Sequence, residues 1–454
     1  MVMVADSLPG LKGVLQRSGL RCTAAAMATR LIAAFILHPG RVSCLQAAAT
    51  VRSDSRHRAQ VSRFLAKGAK LVSCVGDWFR DELMRFESSV GTYVFIVDAT
   101  LCGQAGKHTE NTYGTGNRKR RPRKGRRHGT YRHHRRSCHS FTVGLLLTPS
   151  GLRIPVLKPY YTRGYCKARG IEHCTTAEAA ALMVRELKVP AGAPVVVVGD
   201  TAYESQVVRD ACAARGFRWI FPSNHERVLE GPQGRRVRVR SLMDDRSAWS
   251  WQTIRLVPSR GAFAAYRRLS RHRIGPKVKS RTYHVHEERR RVRSVGAVRI
   301  VFSTTSTDAT HASLADTKIL LTNASGLSVR DIVDIYSLRW QVELFFKELK
   351  SSLGFARYRF KRFDAVEAWV SLVITTFLYL EWYRAKQLRS SKLAAEEKKW
   401  WIPQRTHGLC QAIRLATERS ELAYMAKRLE TPGGVQRMKA LLERGFAAEY
   451  RAAL

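Results

Sequence analysis

The sequence predicts an α/β protein: buried strands alternate with helices, a long strand-rich segment interrupts them, and helical regions flank the whole. Three observations carry this. Tyr93–Val97 (YVFIV) and Pro194–Gly199 (PVVVVG) are apolar enough to be core strands, and each is followed at once by an aspartate, Asp98 and Asp200. Runs with helical periodicity alternate with further strand-like runs. Finally, Tyr336–Lys350 (YSLRWQVELFFKELK) reads as one two-faced helix. At about 100° per residue, Tyr336, Arg339, Glu343 and Lys350 fall within an arc of roughly 60°. Leu338, Val342, Phe345 and Leu349 lie opposite, as burial against a core requires, and Trp340 sits beside the polar stripe. The simpler reading is a solvated helix in which Glu343 and Lys347 form an i,i+4 pair.

The 454 residues are enough for two or three domains around a sizeable core. Lys and Arg number 79 against 36 Asp and Glu, a formal charge of +43. Such an excess points to a polyanionic partner, of which nucleic acid is the usual one. The nine cysteines form no CxxC pair, so neither a zinc site nor a disulfide framework is indicated, and reduced thiols in a cytoplasm are expected. The N-terminus lacks the compact apolar core of a signal peptide. The longest apolar run, Ala368–Leu380, is too short to span a bilayer and is expected to be a buried helix, so no membrane partner is expected.

In chain order, residues 1–90 read as helical, a candidate DNA-binding domain. Ala24–Leu37 is an apolar helix stopped by His38-Pro39-Gly40. Val42–Val51 and Arg56–Ala66, joined by a polar turn, resemble a helix-turn-helix as much as a plain bundle. Residues 91–223 open the α/β core, with the first strand ending at Asp98. Leu101–Ser137 reads as loop. Within it, Gly103–Thr109 (GQAGKHT) lacks the spacing of a phosphate-binding loop. Residues 118–136 form a basic arm of eleven Lys and Arg in nineteen positions, too charged to pack on itself and suited to neutralising phosphates. Strands are predicted at Ser140–Leu147 and Arg153–Leu157 about a Pro149-Ser150-Gly151 turn. Helix Thr176–Leu187, strand Pro194–Gly199, helix Tyr203–Gly216 and strand Phe217–Phe221 follow. Residues 224–327 are Arg-rich and mostly β, with strands at Thr253–Val257, Thr282–His286, Val298–Ser303 and Ile319–Leu321. Trp249 and Trp251 there suit core packing better than stacking on a DNA base. Residues 328–388 return to the core, with Ser328 as the cap leading toward Glu343 and a long buried helix at Ala365–Leu388. Residues 389–454 form a charged helical tail.

Three strands, a helix, a strand, a helix and a strand fit a ribonuclease-H-like fold, in which acids from the first and fourth strands meet an acid on a later helix. The set Tyr336-x2-Arg339-x3-Glu343-x6-Lys350, with Asp98 and Asp200 upstream, resembles the DDE transposases of bacterial insertion sequences, in the insertion sequence 4 group. Asp200-Thr201-Ala202-Tyr203 resembles the pattern that follows the second acid in that family, and the β-rich insertion matches in place and length. The resemblance covers roughly residues 90–385; the basic arm is not part of it.

The resemblance implies an enzyme of phosphoryl transfer, an endonuclease and strand transferase acting at the terminal inverted repeats of an insertion sequence in cut-and-paste transposition, with a hairpin intermediate on the second strand. Asp98, Asp200 and Glu343 are the implied catalytic and metal-binding residues, holding two Mg2+ (or Mn2+) ions. Tyr336, Arg339 and Lys350 are the implied DNA contacts, with Trp340 beside them; Arg118, Lys119, Arg120 and Arg121 of the arm are candidate DNA contacts by charge. The implied partners are double-stranded DNA, both transposon ends and target, and a second copy in a homodimeric synaptic complex. The setting would be a nucleoid-associated protein of a bacterial cytoplasm. Two alternatives stay open: a ribonuclease-H-like structure-specific nuclease, and a catalytically inactive DNA-binding descendant.

Overall fold

The computed structural model describes residues 8, 10–17, 20–37, 56–67, 69–104, 108–115, 136–230, 236–257, 261–270, 280–391, 405–430 and several positions between 394 and 440. Val42–Val51 lies outside these residues, and so does the basic arm up to residue 135, with Arg118, Lys119, Arg120 and Arg121.

Among the described residues twelve strands form one mixed sheet. Its first part comprises β1 (Tyr93–Gln104), β2 (Tyr113–Thr115), β3 (Arg136–Leu147), β4 (Arg153–Pro159), β5 (Val195–Gly199) and β6 (Arg218–Pro222). β3 runs antiparallel to both β1 and β4, whereas β1, β5 and β6 run parallel. The parallel strands are buried on both faces, which explains why their sequences are unbroken apolar runs. Gly144 of β3 is there because a Cβ would come within 2.1 Å of the Phe95 ring on β1.

Three expectations about this part need correction. β1 does not end at Asp98 but continues to Gln104, because β3 goes on pairing with it after β5 has stopped. The segment read as loop therefore contains the end of β1, β2 and the start of β3. The helix predicted from Tyr203 begins only at Gln206, after a 3-10 turn at Thr201–Tyr203.

Residues 224–327 supply β7 (Val228–Glu230), β8 (Arg236–Arg238), β9 (Gln252–Leu256), β10 (Arg281–Val292), β11 (Gly296–Thr304) and β12 (Thr317–Thr322). β12 pairs antiparallel with β6, so this segment extends the same sheet. Trp249 packs in it, stacked on His286 at 4.3 Å and against Phe302 at 4.5 Å, and Trp251 Nε1 donates to the Arg246 carbonyl.

The helices are α1 (Leu11–Arg17), α2 (Cys22–Leu37), α3 (Arg56–Lys67), α4 (Ala69–Met84), α5 (Arg163–Arg169), α6 (Thr176–Arg185), α7 (Gln206–Ala214), α8 (Val239–Leu242), α9 (Ala264–Ser270), α10 (Val329–Ser337), α11 (Trp340–Ser352), α12 (Phe363–Arg389) and α13 (Thr406–Leu429). α12 is long and apolar enough to cross a membrane by composition, but it is the buried axis of the helical layer. α2, α3, α4 and α13 pack on it, with Phe35 edge-on to Trp369 and Phe79 edge-on to Tyr379.

Charge is also buried here. Arg153 of β4 pairs with Glu348 of α11 at 3.0 Å and with Glu381 of α12 at 3.2 Å. Arg384 pairs with Glu381 and donates to the Gly151 carbonyl at 2.8 Å. The Thr406 hydroxyl, at the start of α13, donates to Glu348 at 2.7 Å. Two cations and two anions thus cancel, which makes burial tolerable. A neutral group, His139 on β3, is fully buried: Nε2 lies 2.9 Å from the Glu110 carbonyl and Nδ1 2.9 Å from the Tyr358 hydroxyl. This network fits a neutral ring whose Nε2–H donates and whose Nδ1 accepts.

Candidate active site

The first two acids are brought together by strand register. β1 and β5 pair in parallel from Tyr93↔Val195 to Val97↔Gly199, so Asp98 and Asp200 are the next residues along two neighbouring strands. Both stand at the rim where β1, β5 and β6 leave their parallel pairing. Asp200 is exposed and opens the 3-10 turn; Asp98 is half-buried and accepts from the Ala99 N–H at 2.7 Å.

The third acid comes from α11. Ser328 caps α10 through a capping box with Asp331, satisfying helix-end N–H groups. Tyr336–Lys350 is not one continuous helix, however. α10 stops at Ser337 and α11 starts at Trp340. Across the junction, Leu338, Arg339, Gln341 and Val342 donate to the carbonyls three residues back, as in a 3-10 turn. The junction is tied to the core by Gln341, whose buried amide donates to the Tyr266 carbonyl. The predicted facing survives it: Leu338, Val342, Phe345 and Leu349 are buried, and Trp340 is 37% exposed.

Arg339, in the junction, is the hub. Its guanidinium lies 3.5 Å from Asp98 and 3.1 Å from Glu343. Burial alone would lower its pKa, but Tyr336, Asp200, Asp98 and Glu343 together raise it. The Asp98 pKa is raised, chiefly by burial; Asp200 and Glu343 push it the same way as like charges, while the Ala99 N–H and Arg339 oppose them. Desolvation pushes the Tyr336 phenol up to about 12 against the opposing pull of nearby Arg339, and among the described residues its buried hydroxyl has no hydrogen-bond partner of ordinary geometry. Lys350 donates to the Leu101 carbonyl at 3.0 Å, anchoring it over β1 just beyond Asp98.

The structure thus gathers Asp98, Asp200, Tyr336, Arg339, Glu343 and Lys350 at one rim, with Trp340 adjoining on the surface. One member was not anticipated from the sequence. Lys318 of β12 lies over the Tyr336 ring, 5.8 Å from its centroid. Its pKa is lowered, by desolvation first and Arg339 next, against the pull of Asp200.

Residues 171–379 match the family model described as a transposase DDE domain, a span holding Asp200, Lys318, Tyr336, Arg339, Glu343 and Lys350. The chain thus carries a transposase DDE domain, the domain of enzymes that act on DNA. No curated protein matches it. Asp98 lies upstream of the matched span, and its place beside Asp200 at this rim rests on strand register and electrostatics.

DDE transposases generally use divalent metal ions, and the donor set here suits them: three carboxylates, hard oxygen donors, at one rim, of which Asp98 is penalised by burial and by the charges of the other two. With Arg339 between Asp98 and Glu343, among the described residues no three His, Cys, Asp or Glu side chains converge on a single point.

Proposed function

We propose that this transposase mobilises an insertion sequence of the insertion sequence 4 group, cleaving DNA at the terminal inverted repeats and joining the freed ends to target DNA. The catalytic core is ribonuclease-H-like, with the β-rich segment inserted between its second and third acids. The observation that carries the reading is the meeting of Asp98, Asp200 and Glu343, from two parallel strands and one helix, beside Tyr336, Arg339 and Lys350.

Asp98, Asp200 and Glu343 are the residues that would hold two Mg2+ or Mn2+ ions. Bound there, the ions would supply charge for activating a water or 3′-hydroxyl and for stabilising the leaving oxygen of an in-line displacement. The side chains supply the rest. Arg339 exchanges its carboxylate contacts for a phosphate, which it can grip as a fork; Lys350 offers a point charge to another phosphate. The Tyr336 hydroxyl, which among the described residues lacks a partner of ordinary geometry, would gain one from the DNA backbone. The hairpin route for the second strand follows from the Tyr-Arg-Glu-Lys set. Synapsis of two ends calls for a homodimer, working where the DNA lies, in the bacterial cytoplasm.

The test is cleavage of duplexes bearing the repeats that flank the gene, with Mg2+ or Mn2+, by the wild type and Glu343→Gln. That substitution keeps size and removes a charge. Cleavage lost by at least about a thousandfold, with binding retained, is the expected result. Equal cleavage by both proteins would remove Glu343 from the chemistry. Specific binding with no cleavage by either would mark a DNA-binding descendant.

A further inference from the structure

The sheet places a cation at the active-site rim that the Tyr-Arg-Glu-Lys set does not include. β5 and β6 are parallel, so both finish at the rim carrying Asp98 and Asp200. β12 is antiparallel to β6 and therefore begins at that rim. The pairing starts at Leu320 opposite Pro222, the last residue of β6, so Lys318 lies two residues beyond it, at the rim. The residue is exposed as a whole, while its ammonium reaches back over the Tyr336 ring and is partly desolvated there.

Its surroundings differ from those of the structural cations. Arg153, Arg209, Arg299 and Arg384 are buried, and each is paired with a carboxylate. Among the described residues the Lys318 ammonium makes no ion pair, although it stands close enough to Arg339 to feel its repulsion and to Asp200 to feel its attraction. A cation held without an ion pair beside Arg339, which already holds Asp98 and Glu343, weakens the free protein and suits a site that receives an anion. Lys350 is anchored over β1, whereas Lys318 stands on β12, three strands across the sheet. At strand level that is about 14 Å, so the two lysines meet different phosphates.

We propose that Lys318 is a DNA-binding residue of the active site, gripping a backbone phosphate on the Asp200 side while Lys350 holds another on the Asp98 side. This rests on the transposase reading of the site. DNA entering the rim would run across Asp98, Asp200 and Glu343 between the two lysines, with Arg339 at the middle.

The test measures binding of a duplex carrying the terminal repeat as a function of salt, by fluorescence anisotropy, for wild type, Lys318→Gln and Lys318→Arg. Removing one phosphate contact lowers the slope of log K against log salt by about one, and restoring the charge recovers it. Lys318→Gln is expected to show the reduced slope and cleavage at saturating DNA slowed by about tenfold or more, with Lys318→Arg close to wild type in slope. A wild-type slope and wild-type cleavage in Lys318→Gln would overturn the proposal. The salt slope is read from binding alone. If wild type binds but does not cleave, the enzymatic reading fails while the phosphate contact is still judged.

Discussion

Two carboxylates on α11, five residues apart, have opposite surroundings. Glu343 faces the rim, partly exposed, with Arg339 as a neighbour it shares with Asp98. Glu348 faces inward, almost wholly buried, and is held by Arg153 and Thr406 in a network that also contains Glu381 and Arg384. The inner charges are matched and closed off from water. The outer ones are crowded: Asp98 is penalised by burial and by the like charges of Asp200 and Glu343, and among the described residues the Tyr336 hydroxyl lacks a partner of ordinary geometry. The helix that carries Glu343 is thus held by one charge cluster and presents another at the rim, where the proposed chemistry would take place. A site left electrostatically unsatisfied can bind ions and DNA; a satisfied one can only hold position.

The comparison breaks most sharply at the inner cluster. Glu381→Gln removes one of the two buried carboxylates that serve Arg153 and Arg384, and a loss of about 3–5 kcal/mol in chemical denaturation is expected. A loss below about 1 kcal/mol would show that the network carries little of the fold. A smaller effect is expected at the outer cluster. Glu343→Gln removes one partly exposed pair with Arg339 and relieves repulsion on Asp98, so stability should stay within about 1 kcal/mol of wild type. A large loss there would mean that Glu343 is part of the scaffold.

The smallest effect sharpens the same division with a neutral group. Burial lowers the pKa of His139 below its ordinary 6.5. The unfolded chain then takes up the proton first on acidification. The stability His139 contributes is full above about pH 6.5 and is lost as pH falls below it toward the folded value. In thermal melts between about pH 8 and pH 5, wild type should lose more stability than His139→Gln. Parallel pH profiles would show that the ring is not held neutral.

Much of the site was readable because its signals are local. An apolar strand followed by Asp, twice, located Asp98 and Asp200, and helical spacing located Arg339, Glu343 and Lys350. The Arg339 junction was not readable, since Leu338–Arg339 has no breaker residue and the tight turn is secured by Gln341 bonding to distant Tyr266. Nor was the length of β1, which depends on β3 pairing past the point where β5 leaves.

The sequence by itself determined the excess of positive charge, the core strands, the buried face of α11 and the residue types of the proposed site, because periodicity and composition act over a few residues. Tertiary structure alone decided that Asp98 and Asp200 share a register, that residues 224–327 extend the same sheet, that four buried charges cancel, and that Lys318 reaches the rim. Each of these depends on pairing between segments far apart in the chain, where strand direction and register, rather than local pattern, fix which side chains meet.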